Sequence, residues 1–194
     1  MLTINKIIWL LIISSFVLET ASGLTSPLFA VFLTNNIAGG TLEVIGFAAA
    51  IYWILKSLLQ LLVGYYLDKL SGEADDLTAL IAGHVIFGIT FFLYILAKTP
   101  THIYLIESLA AVGGALLVPS WYGIFIRHID KYKEDFEWSV NSSLSFGLGT
   151  GLAGAIGGIM VTKLGFETTF AVAGTISLIS AVISIPLYKY LRTN

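Results

Sequence analysis

The sequence predicts an all-α integral membrane protein with six transmembrane helices, arranged as two inverted three-helix repeats in a single membrane domain (residues 1–194). Three observations predict this fold. The composition, with 57% hydrophobic and 11% charged residues, lies outside the range of soluble proteins. The apolar residues fall into six segments of membrane-spanning length. Finally, polar and glycine positions of the first half recur in the second half after a shift of 94 residues.

The six apolar segments are each long enough to cross a bilayer, whose hydrocarbon core of about 30 Å requires roughly 20 apolar residues per helix. The segments between them are short and polar, which leaves almost nothing for a soluble domain. The first segment follows Lys6 and is too long for the core of a signal peptide, so we expect a true span. The predicted spans are Ile7–Leu33, Val44–Leu67, Leu77–Ala97, Ile103–Ile126, Val140–Val161 and Phe170–Leu187.

The basic residues predict the orientation. If the spans alternate, most of these residues lie on one side of the membrane, which is then the cytoplasmic side. We therefore expect an integral protein of the plasma or inner membrane with both termini in the cytoplasm. The net charge of −2 provides no basic patch for nucleic acid. The residues on the cytoplasmic side are Lys6, Lys69, Arg127, Lys131, Lys133, Lys189 and Arg192, whereas Lys98 and Lys163 lie on the other side.

The second half of the chain is predicted to be a copy of the first, with repeats at about 6–98 and 99–192. An odd number of spans in each repeat places the second copy upside down, as in several transporter folds. Coincidence in a biased composition is the alternative explanation. The shift of 94 residues matches Glu43 with Glu137, Gly64 with Gly158, Lys69-Leu70 with Lys163-Leu164 and Leu93-Tyr94 with Leu187-Tyr188.

The loop between the second and third spans carries Gly64, Asp68, Lys69 and Gly72. This pattern resembles the loop signature of the major facilitator superfamily (MFS), although Gly72 comes one position late. The chain departs from the signature again where Glu73, Asp75 and Asp76 replace expected bases. Over nearly its whole length the chain resembles one six-helix half of an MFS transporter. Ordinary interfacial charge is the alternative interpretation of Asp68 and Lys69.

The resemblance implies alternating access, with the first and fourth helices facing a central cavity and the third and sixth outside. It also implies that the acid and the base of the loop hold neighbouring helices together on the cytoplasmic side and release them during transport. A weaker resemblance links the fifth span to a glycine-rich signature of MFS exporters, with Gly154 in place of its proline. Close helix packing and a bending, gating helix are both compatible with Gly149, Gly154, Gly157 and Gly158.

Two charges near the middle of spans are candidates for function. Glu19 lies in the first span and Lys56 in the second, where a lone charge costs about 2.5–3.5 kcal/mol even on a lenient scale. Because these spans are antiparallel and consecutive, we expect the two side chains to meet at mid-depth. The pair is either a structural ion pair or a site in which Glu19 takes up a proton or a substrate cation. Polar stripes accompany them, formed by Ser15, Glu19, Ser22 and Ser26 and by Tyr52, Lys56 and Gln60.

Two further residues complete the candidate substrate- or proton-binding set. Glu107 is expected near the external rim of the fourth span, and Asn141 at the inner end of the fifth span either lines a pore or bonds to backbone. His84 is interpreted as a packing residue of an outer helix. The complete set is Glu19, Lys56, Gln60, Tyr52, Ser22, Glu107 and Asn141.

An enzyme is not expected, because the chain lacks the metalloprotease, nucleophile-elbow and phosphate-loop motifs. The three histidines are scattered, so we expect no metal and no cofactor. The sequence ends shortly after the sixth span, and we therefore expect two six-helix halves to associate as a parallel homodimer, with a heterodimer as the runner-up. The expected partners are the lipid bilayer, a small-molecule substrate and protons. A non-transporting membrane scaffold or receptor subunit remains the alternative function.

Overall fold

The computed structural model describes residues 4–70 and 72–191, and every regular element in those ranges is a helix. The predicted end of the second repeat, Arg192, lies outside the described residues. In chain order the elements are α1 (Lys6–Thr25), a 3₁₀ turn (Ser26–Leu28), α2 (Phe29–Asn36), α3 (Leu42–Lys69), α4 (Glu73–Leu96), α5 (Pro100–His128), α6 (Glu134–Asn141), a π-helical segment (Ser142–Thr150), α7 (Gly151–Ser184) and α8 (Leu187–Leu191).

Short polar side chains begin three of the long helices by capping their free amides. The Asn5 side chain accepts a hydrogen bond from the backbone amide of Ile8 at 3.0 Å and starts α1. Thr41 and Thr99 play the same part at α3 and α5. Pro27 lies in the 3₁₀ turn between α1 and α2, where its missing amide proton interrupts regular α-helical bonding.

Five helices in the described ranges are long and apolar enough to cross a membrane. They are Lys6–Asn36, Leu42–Lys69, Glu73–Leu96, Pro100–His128 and Glu134–Leu191. This observation confirms the predicted all-α membrane class. The first, second and fourth contain the corresponding predicted spans, and the third contains all of Leu77–Ala97 except Ala97.

The last helix departs from the prediction of six separate helices. It runs over 58 residues and contains both Val140–Val161 and Phe170–Leu187, so six helices are not confirmed. At Gly165 the backbone leaves helical geometry, with φ 81° and ψ 171°, and kinks the helix. The part before the kink packs on α1, where Gly157 lies against Leu24. The part after it packs on α4, where the Ser177 hydroxyl donates to the His84 carbonyl at 3.0 Å.

The helices pack in a definite pattern: α1 against α7, α3 against α5, and α4 against both α5 and α7. In contrast, α1 and α3 make at most marginal contact, although they are consecutive long helices. Helix α3 is also the least enclosed of the bundle, with only Val44 and Ala48 buried. The bundle is therefore open on the side where α1 and α3 face each other.

Gly157 allows the close approach of α1 and α7, and this contact generates a first prediction. A Cβ atom at Gly157 would lie 2.0 Å from the carbonyl oxygen of Leu24, whereas one at Gly158 would meet nothing within 4 Å. We expect Gly157→Ala to lower the free energy of unfolding by about 1–3 kcal/mol, as overpacking does. Gly158→Ala is the matched control and is expected to unfold like the wild type. Reversible unfolding in mixed micelles measures both, and equal effects would contradict the proposed contact.

Candidate functional site

A crevice opens between α1 and α3, with a volume of about 320 Å³. All five long helices contribute to its wall, because α4, α5 and α7 close the back of the gap that α1 and α3 leave open. The lining residues are Ser22, Thr25, Ser26, Phe29, Ile45, Ala49, Tyr52, Trp53, Phe87, Thr90, Phe91, Tyr94, Glu107, Ala110 and Phe170. The crevice is thus largely aromatic, with a few hydroxyl groups and a single ionisable carboxylate among these residues.

That carboxylate belongs to Glu107, whose residue surface is 8% exposed. The Tyr94 hydroxyl donates a hydrogen bond to Glu107 Oε1 at 2.8 Å. The sequence placed Glu107 near the external rim, whereas the structure places it in the crevice wall. Sequence reasoning did not select Tyr94 for the site. The available signal was its position in the hairpin of α4 and α5, which brings a tyrosine before the turn close to an acid after it.

Glu19 is a residue of α1, and its side chain contacts the π-helical segment. The hydroxyl of Thr150, the last residue of that segment, donates to Glu19 Oε2 at 3.4 Å. Thr150 was missed by sequence reasoning, since nothing in the spacing of the fifth span points to α1. The π-helical turns matter here, because their wider winding sets which side chain faces the neighbouring helix.

The predicted ion pair between Glu19 and Lys56 does not appear among the ion pairs of the described residues. Lys56 Nζ lies instead over the Trp53 ring, 4.6 Å from its centroid, and 5.7 Å from that of Tyr52. The two charges still interact electrostatically across the gap. Their direct contact was expected from the adjacency of the two helices in the chain. It fails because α1 packs on α7 and α3 packs on α5, which holds the two helices apart.

Gly114 of α5 allows Tyr52 and Lys56 of α3 to pack closely against it. A Cβ at this position would lie 2.9 Å from the Tyr52 hydroxyl and 3.2 Å from Lys56 Cδ. The absence of a side chain therefore lets Tyr52 and the stem of Lys56 lie against the backbone of α5.

The other predicted binding residues separate into two groups. Ser22 lines the crevice together with Tyr52 and Glu107, as a shared site requires. Gln60 lies beyond Lys56 on α3 and is not among the lining residues. Asn141 is 2% exposed, and its Oδ1 accepts a hydrogen bond from the Ser145 hydroxyl at 3.2 Å. The Ser145 hydroxyl also lies 3.5 Å from the Ile12 carbonyl of α1, so Asn141 lies beside the α1 interface and is not among the lining residues of the crevice.

The sequence of the chain matches the family model of the Major Facilitator Superfamily over residues 11–193. The chain belongs to the Major Facilitator Superfamily. It is therefore an integral membrane protein of a transporter family, and a small-molecule substrate is the ligand class that this family implies. No individual curated protein matches the chain.

The glycines of the fifth span mostly face α1. A Cβ at Gly149 would lie 3.3 Å from Phe16, and one at Gly154 would lie 3.5 Å from Pro27. Gly157 makes the closest approach, to Leu24, whereas Gly158 faces open space. Three of the four glycines thus lie where two helices of this MFS protein meet, Gly149 within its π-helical segment and the other two after it.

The MFS loop signature lies at the basic end of the bundle, which we define as the end carrying Lys69, Arg127, Lys131 and Lys133. Gly64 faces α5, where a Cβ added to this glycine would lie 3.8 Å from the side chain of Pro119. Asp68 and Lys69 are exposed, and Lys69 Nζ lies 4.3 Å from the centroid of the Tyr65 ring. Gly72 adopts φ 155°, while Ser71 lies outside the described residues.

Two of the three acids that replace the expected bases of the signature, Glu73 and Asp76, form ionic contacts with α5 at this end. Arg127 Nε donates to Glu73 Oε1 at 2.8 Å, and Arg127 Nη2 also pairs with Asp76. His128 Nε2 lies 2.9 Å from Glu73 Oε2. These contacts tie the beginning of α4 to the end of α5. In the sequence, Arg127 contributed to the orientation argument but had no predicted partner.

A second set of contacts joins the beginning of α1 to the connection between α5 and α6. The Asn5 side-chain amide donates to the His128 carbonyl at 2.8 Å and to Asp130 Oδ1 at 3.0 Å. The hydrogen bond from Asn5 lowers the pKa of the Asp130 carboxyl, and the bond from Lys133 acts in the same direction. This contribution to stability is present above the ordinary pKa of an aspartate and is lost as the pH falls through the lowered value.

The ionic contacts at the basic end give a second prediction. Asp76 is 6% exposed, so removing its cation leaves a buried carboxylate without compensation. We expect Arg127→Gln to lower the free energy of unfolding by about 1–3 kcal/mol. The matched control is Lys131→Gln, since the Lys131 ammonium lies over the neighbouring Tyr132 ring on the exposed surface. Unfolding in micelles measures both, and equal stability of the two variants would contradict a bracing role for Arg127.

Proposed function

We propose that this protein is a secondary active transporter that moves a small molecule by alternating access through the crevice between α1 and α3. It works as a dimer of six-helix units and is coupled to protons. One observation carries the proposal: a buried carboxylate, Glu107, faces an aromatic crevice between two helices that do not pack on each other. Ionisable groups at membrane depth are costly and typically belong to substrate or ion pathways. Membership of the superfamily supplies the transporter class.

Six spans follow if the kink at Gly165 separates a fifth from a sixth. At about 1.5 Å per residue, a helix of this length exceeds twice the core of a bilayer of about 30 Å. Three-plus-three inversion is supported by the packing, because a two-fold axis in the membrane plane would exchange the pair α1–α7 with the pair α3–α5. The backbone also turns at positions that differ by one residue between the repeats, at Gly72, two residues after Leu70, and at Gly165, directly after Leu164.

A second six-helix unit would cover the open side of the bundle. In the most apolar stretch of α3 only 6% of residues are buried, compared with 56% in α5. Glu19, Lys56 and Gln60, which lie on α1 and α3 outside the crevice lining, need water or protein rather than lipid. A two-fold axis along the membrane normal would bring two such faces together around water. We propose a second copy of this chain as the partner, in parallel orientation, with both termini in the cytoplasm.

Glu19 is the proposed coupling residue. Its carboxylate accepts from Thr150 and interacts with the charge of Lys56. Protonation would remove the negative charge, weaken the attraction to Lys56 and release the helix pair that Thr150 joins. The resulting shift between states is limited by the difference in proton affinity between them.

The loop from Gly64 to Gly72 is the proposed gate, bracing the cytoplasmic side in the outward-open state. The exposed position of Asp68 leaves it available to a partner across the interface. The pairing of Arg127 with Glu73 and Asp76 would keep α4 and α5 together as one rigid body while the contact between Asp68 and the partner chain forms and breaks.

The coupling role of Glu19 gives a third prediction. In proteoliposomes with an imposed proton gradient, the wild type is expected to concentrate at least one member of a panel of radiolabelled sugars, amino acids and aromatic amines. Glu19→Gln should abolish accumulation against the gradient but leave exchange of that compound measurable, because the substitution removes only the titration. Glu43→Gln, at the exposed beginning of α3, is the matched control.

Two outcomes would contradict this proposal. Accumulation by Glu19→Gln equal to that of the wild type would remove Glu19 as the coupling site. If the wild type moved no member of the panel in either direction, the non-transporting scaffold or receptor subunit would be the better interpretation.

The dimer gives a fourth prediction, which the absence of cysteine makes simple to test. Ser26→Cys places a thiol at the exposed mouth of the crevice and should cross-link two chains in a bilayer. Ile179→Cys is the control, because Ile179 is exposed on α7 about two and a half turns from the crevice residue Phe170, which places it on the opposite face of the helix. Cross-linking through Ile179 but not Ser26, or transport by a protein that single-molecule counting shows to be monomeric, would overturn the proposed dimer.

A further inference from the structure

We infer that the crevice binds an organic monocation with an aromatic body, recognised by the Glu107 carboxylate and the surrounding ring faces. The inference rests on the proposed function, since it names the substrate class of the same crevice. The fit follows from three properties of the wall: its charge, its rings and the direction of its hydrogen bonds.

The lining contains one carboxylic acid and no basic side chain. Glu107 is the one ionisable carboxylate of the lining, and the described residues supply Tyr94 as its hydrogen-bond donor but no cation in an ion pair. A buried carboxylate with one neutral donor is poorly compensated. The nearby Glu19 adds a second negative charge, and the fields of both carboxylates reach the Tyr52 hydroxyl. In the described part of the chain, Lys56 supplies the opposing charge near the mouth, so a ligand with one positive charge completes the balance.

The ring faces of the wall suit the same ligand. Seven of the fifteen lining residues are aromatic, and such faces attract cations through their quadrupoles. The chain itself demonstrates this attraction at the mouth, where the Lys56 ammonium lies 4.6 Å from the centroid of the Trp53 ring. Because Lys56 occupies a position that a ligand cation would use, it competes with the ligand and repels it.

Three hydroxyl groups of the wall already donate their protons within the protein. The Thr25 hydroxyl donates to the carbonyl of Ser22 at 3.3 Å, and the Thr90 hydroxyl donates to that of Phe87 at 2.8 Å. Tyr94 donates to Glu107. Those hydroxyl protons are therefore spent within the protein. Anions need donors, and with these three donors already used the wall beside Glu107 disfavours an anion.

The test measures binding without any gradient, by equilibrium dialysis of the purified full chain against radiolabelled benzyltrimethylammonium. This probe is a phenyl ring with a quaternary ammonium, and it fits a space of about 320 Å³. Phenylmethanesulfonate and benzyl alcohol are the competitors, because they keep the ring and replace the cation by an anion or a neutral group. We expect the cation to bind at least about tenfold more tightly than either. Equal displacement by all three compounds would overturn the inference.

The variants assign the preference to the named groups. Glu107→Gln should weaken cation binding by about tenfold or more, whereas Lys56→Met should strengthen it severalfold because the competing charge is gone. Glu43→Gln, outside the crevice, is the matched control and should bind like the wild type. If Glu107→Gln does not fold, Trp53→Leu replaces it, with an expected loss of about threefold or more from the missing ring face. Unchanged binding in the folded variant, Glu107→Gln or its replacement, would overturn the inference.

The results separate this inference from the transport proposal. Cation binding by a protein that transports no member of the panel would support the cation-binding site and contradict the transport proposal. Transport of panel compounds by a protein with no preference for the cation would support the transport proposal and contradict the cation-binding site.

Discussion

The hydrocarbon core of a bilayer offers no hydrogen bonds, and the arrangement of this protein depends on that constraint. Every polar group on a span has to find its partner within the protein or at water. On α7 the buried serines donate to backbone carbonyls, Ser180 to Ser177 at 2.8 Å and Ser184 to Ser180 at 3.0 Å. Such residues are thereby made compatible with the packed interface. Hydrogen bonding to the backbone of the same helix does not compensate the charged side chains in the same way.

Glu107, Glu19 and Lys56 lie in the spans without an ion-pair partner among the described residues, and this sets them apart from the rest of the interior. Glu107 has the Tyr94 hydroxyl, Glu19 has the Thr150 hydroxyl, and Lys56 has two aromatic rings. At the basic end the charges are instead matched directly, as in the contact of Arg127 with Glu73. The difference is physical. A matched pair stabilises one arrangement, whereas a partly compensated charge keeps affinity for a ligand or a proton.

Glycine determines where those charges can lie. Gly157 lets α1 approach α7, and Gly114 lets the stripe of Tyr52 and Lys56 lie against α5. Each helix of the first hairpin is thus drawn to a neighbour from the second half of the chain. The gap between α1 and α3 is a consequence of these two close contacts, and the crevice occupies it.

The membrane class, the approximate limits of the first four spans and the family loop were determined by the sequence itself. Length, hydropathy and short polar signals are local properties, and the bilayer imposes them on each segment separately. Partners across the bundle were decided only by tertiary structure. Glu19 and Lys56 interact electrostatically but form no ion pair in the described residues, because adjacency in the chain does not require close packing in the bundle. Helix contacts depend on which faces can approach closely, which is why Glu107 came to line the crevice and Asn141 did not.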